Sequence, residues 1–436
     1  MTLSGECVAA DCLVLGAGPA GLMCAAQLAE LAPEAHIVVI DHAKKPARKL
    51  MVSGAGQCNF THDGSIKEYV THYGEQGSRI RKVLYGFSNQ EVRSWFAARG
   101  VSSFAREDGK VFPESLKSGD VLTALLRAAE QGNGSVVCEV SVKRIALDDG
   151  NHFVIEADTP QGNITFQAKN LVVATGGITY PSTGSDGSII ELIAPLLRAH
   201  NICLPDFIVG LAPLYPRAYP FGELEGLSLE VRLEASVQKL HGKNAAAIKG
   251  LLLRSDSFSG PAAQDMSTYL TPGQNFFVNF APHLLGDAQT IGENLFTQAH
   301  VSQKELLTLL VAFFGLPKRF VATVLNEYCV CTGLNLACDP MNLSKAHCRA
   351  IARQFVEAQF CIECRASVRE GMVSRGGFLL DNINLASMTL KNMPAISVAG
   401  ECVDVQGDTG GYNLQWAFSS GACAGRALAQ KLTAKE

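Results

Sequence analysis

The chain has 436 residues, 47% of them hydrophobic and 18% charged, enough to bury a large core and more than one core usually serves. Lys and Arg total 37 against 41 Asp and Glu, a net charge of -4, so the whole chain has no bulk attraction for phosphate backbones and nucleic acid is not the default partner. The start, Met1 to Glu6, lacks the basic and apolar pattern of a signal peptide, and the longest later apolar run, Leu306 to Leu316, is too short to span a bilayer. Fourteen Cys in such a chain read as reduced thiols, and a cytoplasmic protein without membrane contact is expected.

Asp11 to Leu15 reads as a buried strand, Pro19 to Glu30 as an Ala-rich helix and Ile37 to Ile40 as a second strand closing at Asp41. This is a βαβ unit of roughly 30 residues. Helical spacing follows over Ser88 to Ala98 and Ser118 to Glu130, and strand alternation over Val136 to Ile155 is broken by the hairpin signal Asp148-Asp149-Gly150-Asn151. Leu171 to Ala174 is another buried strand. The region from 196 to 365 changes character, with prolines at 205, 213, 216 and 220, strands near 229–238 and 275–280, and helical spacing over 303–328. Strand pattern returns at Ile396 to Ala399, and an Ala/Gly-rich helix runs from about Gly411 to Leu432.

Gly16-Ala17-Gly18-Pro19-Ala20-Gly21 is a G-x-G-x-x-G turn lying after a strand and before a helix. Gly16 allows the tight turn, Gly18 lets backbone approach a pyrophosphate, and Gly21 lets helix pack on strand. The helix N-terminus offers free N–H groups to phosphate, and Asp41 stands where an acid hydrogen-bonds ribose hydroxyls. That unit alone does not separate FAD from NAD. Three further segments decide for FAD: Lys49 to Asn59, Ala174-Thr175-Gly176-Gly177, and Gly400-Glu401 with Gly410 to Trp416.

At these residues the chain resembles the YhiN/BaiN-type bacterial flavoproteins, a branch of the two-dinucleotide-binding-domain superfamily that also includes aminoacetone oxidase. The resemblance runs from about Asp11 to Leu428. It is carried by R-K-L-x-x-S-G-x-G-x-C-N at Arg48 to Asn59, A-T-G-G-x-x-Y-P-x-T-G-S at Ala174 to Ser185, and A-G-E-x-x-D-x-x-G-x-T-G-G-Y-N-L-Q-W at Ala399 to Trp416. Weaker matches are Asp108 to Pro113, Ser259 to Ala262 and Arg375 to Gly377.

The resemblance implies an α/β protein: a Rossmann-like FAD-binding domain in two segments, 1–195 and 366–436. Residues 196–365 form an inserted substrate or cap lobe, β-barrel-like with a helical part about 285–345. It implies FAD contacts from Gly16, Gly18, Pro19, Ala20, Gly21, Asp41, Lys49, Gly54, Gly56, Asn59, Ala174, Thr175, Gly176, Gly400, Glu401, Gly411, Tyr412, Asn413 and Leu414. Glu401 is expected near the ribityl or pyrophosphate region, and the helix after Gly411 near the N1/C2 side of the flavin. Two positions depart from the family pattern: Gln57 replaces a basic residue, and Ser188-Ile189-Ile190 replaces a glycine and an aromatic.

The expected activity is hydride exchange between flavin N5 and a small organic substrate, with NADH or NADPH as electron donor and Tyr180 and Asn413 as catalytic candidates. Only one G-x-G-x-x-G is present, so NAD(P)H visits the open flavin face or another donor serves. A flavin-dependent amine oxidase and a flavin-containing tRNA-binding or modifying protein are the alternatives. Cys58, in the loop placed near the flavin, has no C-x-x-C partner and reads first as packing. Cys329, Cys331, Cys338, Cys348, Cys361 and Cys364 fit no usual four-ligand spacing, and no metal is expected.

Overall fold

The computed structural model describes residues 7–235, 247–335 and 339–434. These fall into two compact units, one of residues up to 209 together with those from 371 on, the other of residues 210–370.

In the first unit, five strands lie parallel: β1 (Cys7–Leu15), β2 (Ile37–Ile40), β3 (Gly134–Val137), β4 (Gly162–Val173) and β5 (Ile396–Val398). Their spatial order is β3-β2-β1-β4-β5, the dinucleotide-binding arrangement with its reversal between β1 and β4. Register is tight at the carboxyl ends, where Leu15 pairs with Ile40 on one side and Val173 on the other. All four β2 residues are buried, as a strand covered on both faces requires. Short antiparallel strands, Thr389–Leu390 and Ile383–Asn384, extend one edge, and the hairpin Ser141–Leu147/Phe153–Thr159 pairs onto the early part of β4.

Helix α1 (Pro19–Leu31) follows the glycine turn, and helix α2 (Tyr412–Thr433) packs along it. The approach is close because glycines line it: a Cβ at Gly421 would overlap the Ala20 carbonyl and one at Gly425 the Cys24 carbonyl. The helix expected at Ser88 to Ala98 spans Asn89–Ala97, with Ser88 and Glu91 forming a reciprocal cap. Gly77–Gly86 is also helical, although it lacks a side-chain cap in its sequence.

The second unit is an antiparallel sheet of six strands whose order begins at Tyr215–Pro216 and ends at Phe258–Ser259. A bridge between Leu214 and Phe258 brings these ends together, so the sheet is nearly closed into a barrel. Phe221, Phe258, Phe276, Phe280 and Phe320 fill its core. The helical spacing over 303–328 proves to be two helices, Leu306–Phe314 and Lys318–Thr332, because Gly315 turns left-handed and Pro317 starts the next. A further helix, Lys345–Val356, extends the helical part past 345. Among the described residues no single helix is long and apolar enough to cross a membrane.

Candidate functional site

The turn between β1 and α1 leaves open space at the N-terminus of α1. Gly16 has φ +102, and a Cβ there would lie 2.6 Å from the Ala174 oxygen, so the turn itself demands glycine. Gly18 is different. Its φ of -78 suits any residue, and the nearest atom to a Cβ at that position is 3.9 Å away. The protein leaves this space open, a cradle that a side chain would fill. Gly18 caps α1, Pro19 occupies its first position, and the first turn, with Ala20 and Gly21, carries no acidic residue to neutralise the N-terminal partial charge.

Asp41, at the end of β2, is oriented by two backbone donors, accepting from Ala17 N and Ala43 N, each at 2.8 Å. It lines a cleft together with Leu15, Gly16, Ile40, Thr175 and Ile189. The cleft lies beyond the carboxyl ends of β1, β2 and β4, where ligands bind in sheets of this kind. Ser188 and Ile189, which depart from the family pattern, are in its wall.

The remaining motif segments meet around one ion pair. Lys49 Nζ donates to Glu401 Oε1 and Oε2 at 2.9 and 2.8 Å and to Thr179 Oγ1 at 2.8 Å. Glu401 Oε1 also accepts from Ser374 N at 2.9 Å, while Ser374 Oγ accepts from Ile178 N at 2.9 Å. Segments near 49, 178, 374 and 401 are thereby tied at one node. Thr179 and Ser374 escaped sequence reasoning, although Thr179 stands at a variable position inside the Ala174–Ser185 motif and Ser374 adjoins Arg375 to Gly377. Gly400 is held from both sides, its N–H donating to Ser420 Oγ and its oxygen accepting from Trp416 Nε1.

The segment around Lys49 is strained. Ala47, Ala55 and Cys58 all have left-handed backbone with φ of 50, 55 and 59, and Gly54 and Gly56 are also at positive φ. Cys58 is fully buried, and burial pushes its thiol up to about 12, opposed in part by the Ser53 hydroxyl. It is a neutral packing group across the physiological range. Gln57 accepts a hydrogen bond from Arg106 Nη2 at 2.7 Å, so a basic group from another segment reaches the position where the family carries one.

Gly411 opens α2 with φ +102, and a Cβ there would overlap the Thr61 carbonyl. The N–H groups of Tyr412, Asn413 and Leu414 form the first turn. Tyr412 is buried, its ring stacked on His62 and His72 at centroid distances of 5.0 and 4.1 Å. Asn413 commits its amide to the preceding loop: Oδ1 accepts from Gly407 N and Nδ2 donates to Gly407 O, both at 2.8 Å. That geometry shapes the turn entering α2. Tyr180 sits half-buried at φ +56, one residue from Thr179, and its hydroxyl has no partner among the described residues.

Two buried polar atoms without a protein partner fall within these motifs, Asn59 Oδ1 and Thr175 Oγ1. Buried polar atoms are rarely left unpaired, and with the open cradle at Gly18 they fit a bound dinucleotide. Gly176, between Thr175 and the node, is at φ +74. Among the described residues no group of His, Cys, Asp or Glu is assembled for a metal, and Cys338 lies outside them.

The family described as HI0933-like protein Rossmann domain matches residues 10–427. A ribosomal RNA dihydrouridine synthase of Haemophilus influenzae is 30% identical, covering 94% of this chain and 97% of its own. A 3-dehydro-bile acid delta(4,6)-reductase of Clostridium scindens is 25% identical over 96% of this chain and 98% of its own. Among solved structures, the 3-ketosteroid-delta4-(5alpha)-dehydrogenase of Rhodococcus jostii RHA1 shares the fold, with a TM-score of 0.51 and 16% identity over 97% of each chain. Glycine cradle, orphaned polar atoms and family match agree: the chain belongs to the HI0933-like Rossmann family and is an FAD-dependent oxidoreductase.

Proposed function

We propose that the protein reduces a carbon–carbon double bond conjugated to a carbonyl, drawing its electrons from NADH or NADPH. Two relatives of different name support one chemistry. A uracil ring and a bile-acid enone both present an alkene polarised by a carbonyl, which takes a hydride at the β carbon and a proton at the α carbon. Bound FAD supplies the hydride equivalent.

The observation that carries the reading is the Tyr180 hydroxyl, unpartnered and held on a left-handed turn next to the Lys49–Glu401–Thr179 node. In this reading it delivers the proton to the α carbon and is reprotonated from solvent. The cofactor contacts are those of the glycine turn, Asp41, the Lys49–Asn59 loop, Thr175, Glu401 and the first turn of α2. The N–H groups of that turn favour negative charge beside them.

The test is anaerobic. FAD-loaded protein is reduced with NADH or NADPH, followed at the flavin band near ~450 nm, then mixed with 2-cyclohexen-1-one or with uridine-containing RNA. Reoxidation without air, with a product two hydrogens heavier, supports the proposal. Failure of both alkenes, with bleaching by a primary amine instead, turns the reading to amine oxidation. Uracil in RNA is the substrate the Haemophilus influenzae relative points to, against the expectation from the net charge of -4, and that relative matches across nearly the whole length of both chains. Unchanged dihydrouridine in ribosomal RNA after deletion of the gene would remove that choice.

A further inference from the structure

We infer that Arg106 is a substrate-binding residue whose guanidinium receives an oxyanion, carboxylate or phosphate, carried by the molecule that is reduced. The inference rests on the reductase reading above and adds the charge of the substrate.

Arg106 follows the strand Ser103–Ala105, which pairs antiparallel with Lys110–Pro113. Its N–H donates to Lys110 O at 2.9 Å and its carbonyl accepts from Gly109 N at 2.9 Å, so the backbone is fixed in the hairpin. The side chain is fixed as well. The guanidinium carbon stands 3.9 Å from the centroid of the buried Phe112 ring, and Nη2 donates to Gln57 Oε1. The same ring touches the strained loop, since a Cβ at Gly54 would lie 3.3 Å from Phe112 Cε1. One aromatic ring thus serves both the guanidinium and the loop that carries Gly54, Gly56 and Asn59.

An exposed arginine ordinarily ranges over many rotamers or pairs with a nearby acid. Arg106 does neither. Two anchors set its plane, and among the described residues no carboxylate lies within ion-pairing distance. Asp108, on the same hairpin, is bound instead by Lys110 Nζ at 2.6 Å. A guanidinium carries five donors, and Gln57 occupies one. A planar, charged, pre-oriented fork with unused donors is the group that recognises carboxylate or phosphate in two-point fashion. Gln57, which holds the guanidinium, is two residues from Asn59, whose buried Oδ1 fits a cofactor partner, so Arg106 stands against the loop that adjoins the expected flavin site.

The test uses FAD-loaded full-length protein and two matched probe pairs, each an acceptor alkene with and without an anion. The first pair is trans-4-oxo-2-pentenoic acid and its methyl ester. The second is uridine 5′-monophosphate and uridine. Binding to the oxidised protein is read from the flavin difference spectrum, without turnover. The wild type is expected to prefer the anionic member of one pair by about tenfold or more, and the pair concerned tells carboxylate from phosphate. Arg106→Gln should abolish that preference while leaving the neutral probe's affinity and the thermal midpoint in place, and Arg106→Lys should restore part of it. Equal binding of charged and neutral members, preference retained in Arg106→Gln, or no binding of any probe overturns the inference. Tight anionic binding without any reduction would instead fault the reductase reading and leave Arg106 standing.

Discussion

Lys49 Nζ lies 2.8 Å from Glu401 Oε2, although 352 residues separate them in the chain. The pair is about three-quarters buried, and both carboxylate oxygens and the ammonium are engaged. Removing one partner leaves the other partly desolvated and unpaired, a loss on the order of 1–3 kcal/mol. Lys49→Met and Glu401→Gln should each weaken FAD binding by about tenfold or more, and the double variant should cost less than the sum of the two. Titration of apo-protein with FAD by flavin fluorescence measures all three.

Gly18 and Gly21 belong to one motif but predict opposite failures. A Cβ at Gly21 would overlap the Gly16 carbonyl, so Gly21→Ala should lower the melting temperature of the apo-protein. A Cβ at Gly18 meets only open space, so Gly18→Ala should fold normally and lose FAD affinity. Calorimetry of the apo-proteins beside FAD titration separates the two, and a destabilised Gly18→Ala apo-protein would contradict the cradle.

The Cys58 thiol is raised to about 12 by burial, so its thiolate is absent from pH 6 to 9. A group held protonated across that window gives no inflection there. Cys58→Ser should leave the shape of the pH–rate profile unchanged, and iodoacetamide should label exposed Cys7, Cys203, Cys331 and Cys364 while sparing Cys58 in the native state. Peptide mass spectrometry after labelling reads this directly.

Tyr180→Phe removes only the hydroxyl and keeps the left-handed turn. Turnover should fall by about 10²-fold, with FAD affinity and melting temperature unchanged. A variant that keeps full turnover would assign the proton to another group.

Much of the first unit is legible because its signals are local. The G-x-G-x-x-G turn, Asp41 at a strand end and Ser88 with Glu91 each act over a few residues. The meeting of Lys49 with Glu401 is not local, and motif analysis nominated both without joining them. Arg106 had no signal at all, since its place against Gln57 depends on hairpin register and on how Phe112 packs under the loop. Helix Gly77–Gly86 was hidden by its glycine ends, and the break at Gly315-Leu316-Pro317 was visible in residue type but outweighed by continuous apolar spacing. Asn413 illustrates the limit of residue type: a polar side chain beside an expected flavin site turns out to clamp backbone.

The seam between α1 and α2 has a consequence for synthesis. Ribosomes deliver the first helix some four hundred residues before the second, yet Ala20 and Cys24 in its first turns are covered by Gly421 and Gly425. Until the last helix emerges, the opening βαβ segment lacks one wall, and Glu401 has not arrived to meet Lys49. Cofactor capture is expected to wait for the second helix, and a nascent chain stalled ahead of residue 400 should emerge without flavin however much FAD the cell contains.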